Sequence, residues 1–329
     1  MQDTVSFDVT RNRLVLIDQT RLPGELKILS LHTIEEMEAA IYTLQVRGAP
    51  AIGVAAAIGL AVLSRALGAH NYEENLLAYA ARLRATRPTA VNLTWSLERM
   101  LSGPHDPESL TQQALAIWSE DIETCRRIGG HGSALLRDRD CVLTHCNAGR
   151  LAAVRYGTAL APIYVAAEQG KKIHVFADET RPLLQGARLT AYELTAAGIP
   201  VTLLCDNMAA SLLNSGKIAA VFVGADRIAR NGDTANKVGS LGLSLLARHY
   251  GVPFYVCAPF STVDCSCGTG GQIPIEQRAP EEVTQAWYAA RMAPAGVDVY
   301  NPAFDIIPSE NITAFVTERG VLQPRDLSK

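Results

Sequence analysis

From residue 141 onward, short apolar runs alternate with segments of helical periodicity, and this rhythm leaves few folds open. The runs are 141–144, 173–177, 201–205, 218–223 and 254–257, and helical patterns lie between them at 150–168, 189–197, 209–213 and 237–249. Strands alternating with helices predict βαβ units, a parallel sheet and right-handed crossovers. The front of the chain reads differently. One short strand, 14–17, precedes mainly helical patterns. Thr33 with Glu36 forms a capping-box signature, and Ile34, Met37, Ile41 and Leu44 come after it at helical spacing. Pro50 opens a helix rich in small residues, and further helices are expected at 73–84, 91–101 and 107–128. Gly129, Gly130 and Gly132 mark the expected boundary. The fold class is therefore α/β: a mainly helical domain over 1–130, then a parallel-sheet domain over 131–329.

Composition narrows the function. The chain has 329 residues, 30 Lys plus Arg against 33 Asp plus Glu, and a net charge of -3. A nucleic-acid binder usually carries a basic excess, and a membrane-surface protein a polybasic patch. Neither partner is expected. The charge-free stretch 48–64 is shorter than the ~20 residues of a membrane span, and residues 1–13 lack an apolar leader core. The seven cysteines are odd in number and scattered, which disfavours a disulfide framework and suits a reducing, cytoplasmic protein.

The residues just past each apolar run carry the chemistry. The first run ends in Thr144-His145-Cys146-Asn147-Ala148-Gly149, the second in Asp178-Glu179-Thr180-Arg181-Pro182. The third ends in Asp206-Asn207-Met208, the fourth in Gly224-Ala225-Asp226-Arg227. Ligands of open parallel sheets bind outside the carboxyl ends of the strands. Any one of these acids also fits a helix N-cap. Cys146, at a strand-to-helix junction, suits a thiolate whose pKa is lowered by a helix N-terminus and by His145, or simply a packed cysteine. Asp226, after a very apolar strand, suits a general acid with a raised pKa, or a solvated cap. Arg47-Gly48-Ala49 at a helix start offers free amides and a guanidinium to a phosphate, or is a tight helix start with an exposed arginine. Arg87 before Pro88, and Asn236-Lys237 at an expected helix start, are further anion candidates. No GxxxxGK[ST], GxGxxG or GxSxG pattern fits nucleotide or esterase chemistry, and the scattered histidines indicate no metal site.

Read together, these segments resemble one family. Arg47 to Gly53, Arg87 to Leu93, Thr144 to Gly149, Asp178 to Gly186, Gly224 to Ile228, Asn231 to Lys237 and Ile273 to Glu276 are similar to methylthioribose-1-phosphate isomerases, in order and across nearly the whole chain. Related folds occur in ribose-1,5-bisphosphate isomerases and in regulatory subunits of an initiation-factor exchange complex. The resemblance implies an aldose–ketose isomerase of methionine salvage acting on a sugar 1-phosphate. It implies a small antiparallel sheet in the helical first domain, a Rossmann-like second domain, and Cys146 and Asp226 as the catalytic pair. It also implies Arg47, Gly48, Ala49, Arg87, Gln185, Asn236 and Lys237 as substrate contacts, with no metal or organic cofactor and a homodimer as the assembly. Two departures from the family pattern stand out: Ala152-Ala153-Val154-Arg155-Tyr156, where Arg155 is either a surface residue or a change at the site mouth, and Cys265-Ser266-Cys267. Both bear on the 5-substituent of the sugar. A 5-deoxyribose-1-phosphate isomerase is therefore the close alternative, and a non-catalytic sugar-phosphate or nucleotide-binding regulatory subunit the more distant one.

Overall fold

A computed structural model describes residues 2–87 and 90–327. The expected Arg87-Pro88-Thr89 segment falls partly outside them, at Pro88 and Thr89. The chain divides into two compact units, Met1–Cys125 with Gly149–Gly157, and Arg126–Ala148 with Thr158–Lys329.

The first unit opens with an antiparallel sheet of β1 (Val5–Asp8), β2 (Arg13–Ile17) and β3 (Ile28–Leu31), in that order, with Leu16 opposite both Val5 and Leu29. Helix α1 (Ile34–Tyr42) starts with the expected capping box: Glu36 N–H donates to Thr33 Oγ1 at 3.3 Å, and Thr33 N–H donates to Glu36 Oε2 at 3.1 Å. Helix α2 (Ala49–Ser64) is buried on every side from Ala51 onward, as an all-apolar helix must be. Its glycines let neighbours close in. A Cβ on Gly53 would lie 2.7 Å from Ser96 Oγ of α4 (Val91–Leu101), which packs directly on α2. Between them in sequence is α3 (Tyr72–Ala85). The segment 149–157 belongs here too: Val154 O accepts from Thr4 N–H at 3.1 Å, and Leu151 O accepts from Gln19 Nε2 at 2.7 Å. Arg155 is bound to Asp3 by two 2.8 Å hydrogen bonds.

Helix α5 (Pro107–Ser133) runs straight through the glycines expected to mark a boundary. The correction has a packing cause. A Cβ on Gly132 would lie 2.3 Å from Pro162 Cγ, and one on Gly129 2.6 Å from Val165 Cγ2, so these glycines seat α6 (Ala161–Glu168).

The second unit is built on a seven-stranded sheet. Its strands are β4 (Cys141–Thr144), β5 (His174–Asp178), β6 (Val201–Leu204), β7 (Ile218–Val223), β10 (Phe254–Cys257), β13 (Ala314–Thr317) and β14 (Gly320–Leu322). Their spatial order is β14-β13-β10-β7-β4-β5-β6, and only the edge strand β14 is antiparallel. From β4 the chain therefore moves outward through β5 and β6, then returns to the other side of β4 with β7. That reversal between β4 and β7 is the topological switch point of a Rossmann-like sheet. Helices α6, α7 (Ala191–Ala196) and α8 (Ala209–Asn214) supply the first three crossovers. Phe222, Phe254 and Phe315 are fully buried in the centre of this unit.

A second, four-stranded sheet was not anticipated. It consists of β8 (Arg227–Ala229), β9 (Thr234–Lys237), β11 (Val263–Asp264) and β12 (Phe304–Ile307), ordered β11-β8-β9-β12. Lys237 therefore ends a strand, and α9 (Ser240–His249) starts three residues later than expected. A short helix, α10 (Glu281–Thr284), comes after β11. The helix expected over 150–168 is also shorter, because 149–157 leaves for the first unit.

Candidate active site

The switch point brings together the turns that bear Cys146 and Asp226. Cys146 stands two residues past β4 and Asp226 three residues past β7, on neighbouring strands. The two turns touch: a Cβ on Gly224 would lie 2.7 Å from Ala148 Cβ. No helix N-terminus adjoins Cys146 in sequence, since a single 3-10 turn at Arg150–Ala152 comes next and the following α-helix starts at Ala161. The helix start expected beside the thiol is therefore absent from this turn. Cys146 has a left-handed backbone, φ 65°, uncommon for a residue with a side chain. Threonines on both sides hold it there. Its N–H donates to Thr180 Oγ1 at 2.8 Å, and its carbonyl accepts from Thr190 Oγ1 at 2.7 Å.

The neighbours of Cys146 are anchored by buried polar groups. Asn147 Nδ2 donates to Thr190 Oγ1 at 3.1 Å and to Glu193, whose other oxygen accepts from Tyr164 OH at 3.0 Å. His145 places Nδ1 at 2.9 Å from Asp178 Oδ2, and Nε2 at 2.9 Å from the Val238 carbonyl. Burial alone would lower the His145 pKa; the Asp178 hydrogen bond and charge, Asp206 and the Val238 carbonyl outweigh it and hold it raised. His145, Asp178 and Asp206 are the one group of possible metal ligands among the described residues. Hydrogen bonds engage both His145 nitrogens, and the Asp206 oxygens accept from the Thr180 and Arg181 N–H groups at 2.7 and 2.8 Å, while Asp178 Oδ1 is buried with no hydrogen-bond partner.

Of the two settings expected for Asp226, a buried acid and a solvated carboxylate, the structure shows the exposed one. The strand before it is buried, but Asp226 itself is exposed in the chain, because β7 ends at Val223 and the backbone turns outward into β8. Its N–H donates to Ala235 O at 2.9 Å. That bond sets it across the β8–β9 hairpin from Asn236 and Lys237. Asn236 is buried and donates from Nδ2 to Ser240 Oγ at 2.8 Å; Lys237 Nζ donates to Ala303 O at 2.9 Å and lies 4.9 Å from the centre of the Phe304 ring.

Gln185 is buried just before a single π-helical turn, Gly186–Thr190, and its Oε1 has no hydrogen-bond partner. The turn is forced tight: a Cβ on Gly186 would lie 1.7 Å from Asp178 O. In the first unit, Arg47 is half-buried at the entry to α2, Gly48 has φ 88° and no room for a Cβ against Ala152 O at 2.4 Å, and Ala49 is the first helical residue. Arg87 lies just past α3 and accepts at its carbonyl from Ala90 N–H at 3.0 Å.

Sequence reasoning missed Thr180, Thr190, Glu193 and Tyr164. Thr190 and Glu193 lie three residues apart on one helical stretch, but Thr180, Tyr164 and the Cys146 turn that they meet are distant from it in sequence, so no local spacing announces them. The described cysteines form no disulfide; burial pushes the Cys257 pKa far up, as expected of a packed cysteine.

Comparison with known proteins accords with this geometry. The initiation factor 2 subunit family matches residues 45–324. A methylthioribose-1-phosphate isomerase from Symbiobacterium thermophilum is 53% identical, covering 98% of this chain and 93% of the relative. This chain belongs to the methylthioribose-1-phosphate isomerase family. A 5-deoxyribose 1-phosphate isomerase from Moorella thermoacetica is similarly related, at 54% identity over 94% of this chain and 91% of its own length. The crystal structure of the 5-methylthioribose 1-phosphate isomerase from Pyrococcus horikoshii superposes with a TM-score of 0.93 at 41% identity, covering 99% of this chain and 93% of that one. The family is one of isomerases, and the seven-stranded sheet with its small antiparallel companion in the first unit is its fold.

Proposed function

We propose that this protein converts 5-methylthioribose 1-phosphate to 5-methylthioribulose 1-phosphate, with Asp226 as the acid and Cys146 as the base. The observation that carries this is that the turns bearing Cys146 and Asp226 follow the neighbouring strands β4 and β7 at the switch point, where such sheets bind ligands. Phosphate on the anomeric oxygen prevents spontaneous ring opening, so the protein must open the ring itself. Asp226 gives its proton to the ring oxygen, and the C1–oxygen bond breaks. The Cys146 thiolate removes the C2 proton, leaving an enol phosphate between C1 and C2. Cys146 then returns a proton to C1, and the C2 hydroxyl proton passes to Asp226, which restores both groups. Such acid–base steps contribute about 10²–10⁴-fold per group.

Supporting the binding side, Gln185 carries a buried oxygen with no partner, a natural acceptor for a sugar hydroxyl. Asn236 and Lys237 sit across the hairpin from Asp226. In this reading Arg47, Gly48, Ala49 and Arg87 contact the phosphate through guanidinium groups and the amides at the start of α2. The protein acts without metal or organic cofactor, in the cytoplasm, as a homodimer. Among the described residues no helix is long and apolar enough to cross a membrane.

The second reading, 5-deoxyribose 1-phosphate as substrate, is favoured by the equal identity of relatives bearing that name. The two sugars differ by sulfur and a methyl group, a difference worth ~1–3 kcal/mol to an apolar pocket. A panel of methylthioribose, 5-deoxyribose and ribose 1-phosphates with ribose 1,5-bisphosphate, followed by NMR, decides. The expected result is fastest ketose formation from methylthioribose 1-phosphate. No turnover of that substrate overturns the proposal. Deuterium at C2 tests the chemistry: loss of label to solvent is expected of proton transfer through Cys146 as its thiol exchanges, whereas a hydride shift loses none.

A further inference from the structure

His145 is the residue beside Cys146 that the proposed mechanism leaves unused. It is buried, with side-chain exposures of 1% for His145 and 2% for Asp178 in their ion pair. A carbonyl oxygen only accepts, so the contact with Val238 O requires a proton on Nε2. Asp178 Oδ2 faces Nδ1 at 2.9 Å; burial pushes the Asp178 pKa up, and the His145 hydrogen bond and charge pull it down. With Asp178 as the carboxylate, two acceptors at opposite ends of one imidazole call for two ring protons. Other acidic groups surround the ring: Asp206 beyond β6, Glu179 next to Asp178, and Asp305 on β12, whose oxygens accept from Gly239 and Leu241 N–H at 2.7 and 3.0 Å. The basic group on the neighbouring strand, Lys237, turns to Ala303 O and Phe304. The fit against Gly239 is close: with φ 104°, a Cβ there would lie 2.7 Å from His145 Cε1.

We propose that His145 is a positioning residue for the isomerase site, a buried imidazolium that ties the Cys146 turn to the loop just past Asn236 and Lys237. Donating to Asp178 on one side and to Val238 on the other, it clamps β4 between β5 and the end of β9. Through this clamp the turn bearing the base and the strand bearing two substrate contacts keep a fixed relation. Its charge, one residue from the thiol, favours the Cys146 thiolate. The role presumes the isomerase reading, but its tests do not use substrate.

The first test is on the unaltered full chain. Labelling histidine with ¹⁵N and following ring nitrogens from pH 6 to 10 should show one histidine of the seven still carrying both ring protons at pH 8. If all are neutral at pH 8, the proposal is overturned. The second test is the pH dependence of Cys146 alkylation by iodoacetamide, read on its own peptide by mass spectrometry. In His145→Gln and Asp178→Asn, checked for folding by circular dichroism, the midpoint should rise by about one pH unit, making alkylation about tenfold slower at pH 7. An unchanged midpoint in both folded variants overturns the proposal. A normal alkylation shift with no turnover of the sugar panel would instead defeat the isomerase reading and leave the buried imidazolium in place.

Discussion

Cys146 shows how one backbone angle shapes a site. The left-handed conformation costs a non-glycine residue about 1–2 kcal/mol, and the hydrogen bonds from Thr180 and Thr190 offset it. Thr180 and Leu184 are left-handed as well, at φ 68° and 55°, so the strain collects around this turn. Two substitutions separate conformation from chemistry. Cys146→Ala and Cys146→Gly should both lower kcat/KM by about 10²–10⁴-fold. The glycine variant should melt at or above the alanine variant, because it alone is free of the left-handed penalty. Asp226→Asn should give a similar loss of kcat/KM, and near-normal turnover would remove Asp226 from the acid role. Gly186 makes a purely structural contrast. Its alanine variant would drive a Cβ to 1.7 Å from Asp178 O, and should lose about 3 kcal/mol or more in denaturant unfolding.

Helix α5 carries two tests of its own. The first concerns packing. Gly132→Ala meets Pro162 Cγ at 2.3 Å, and should cost about 1–3 kcal/mol in the second unit. The second concerns charge. Asp121 is held in the first unit with its carboxyl accepting from Val154 N–H at 2.8 Å, and burial pushes its pKa up to about 7 from 3.8. Between those values the folded chain holds a proton that the unfolded chain has released. This contribution to stability is present in full below about pH 4 and is lost as pH rises toward 7. Asp121→Asn keeps an oxygen for Val154 N–H and removes the titration. Urea melts from pH 4 to 8 should show a flatter stability profile for the variant, with its advantage largest above pH 7; parallel profiles would contradict this.

For the whole molecule, turnover and ligand binding separate the enzyme from a non-catalytic relative. A substrate that binds only the folded chain at 100-fold above its Kd stabilises by about 2.7 kcal/mol. Methylthioribose 1-phosphate should therefore raise the melting temperature by a few degrees and also be consumed. Thermal stabilisation with the sugar left intact would point to a regulatory binding protein. Analytical ultracentrifugation should find the homodimer, and a monomer at micromolar concentration would remove that part of the proposal.

Much of the fold and part of the site are legible from residues alone. Runs such as 218–223 and 254–257 are apolar enough to be nothing but buried strands, and both are strands with those limits. The Thr33–Glu36 capping box is a purely local device and forms as expected. Local chemistry also places Cys146 and Asp226 just past strand ends. Features that the sequence alone does not determine depend on contacts between distant segments. Gly129 and Gly132 look like a break until α6 is laid against them, and Asn236-Lys237 look like a helix start until β12 pairs with β9. The apolar run before Asp226 suggests burial, but where the backbone turns after Val223 depends on the hairpin beyond it. The strand order that makes β4 and β7 neighbours, and the pairing of His145 with Asp178 and Val238, are likewise decided only in the folded chain. Periodicity and capping act over a few residues and can be read along the chain. Close approach, strand order and a shared proton act across space, and need the tertiary structure to bring their partners together.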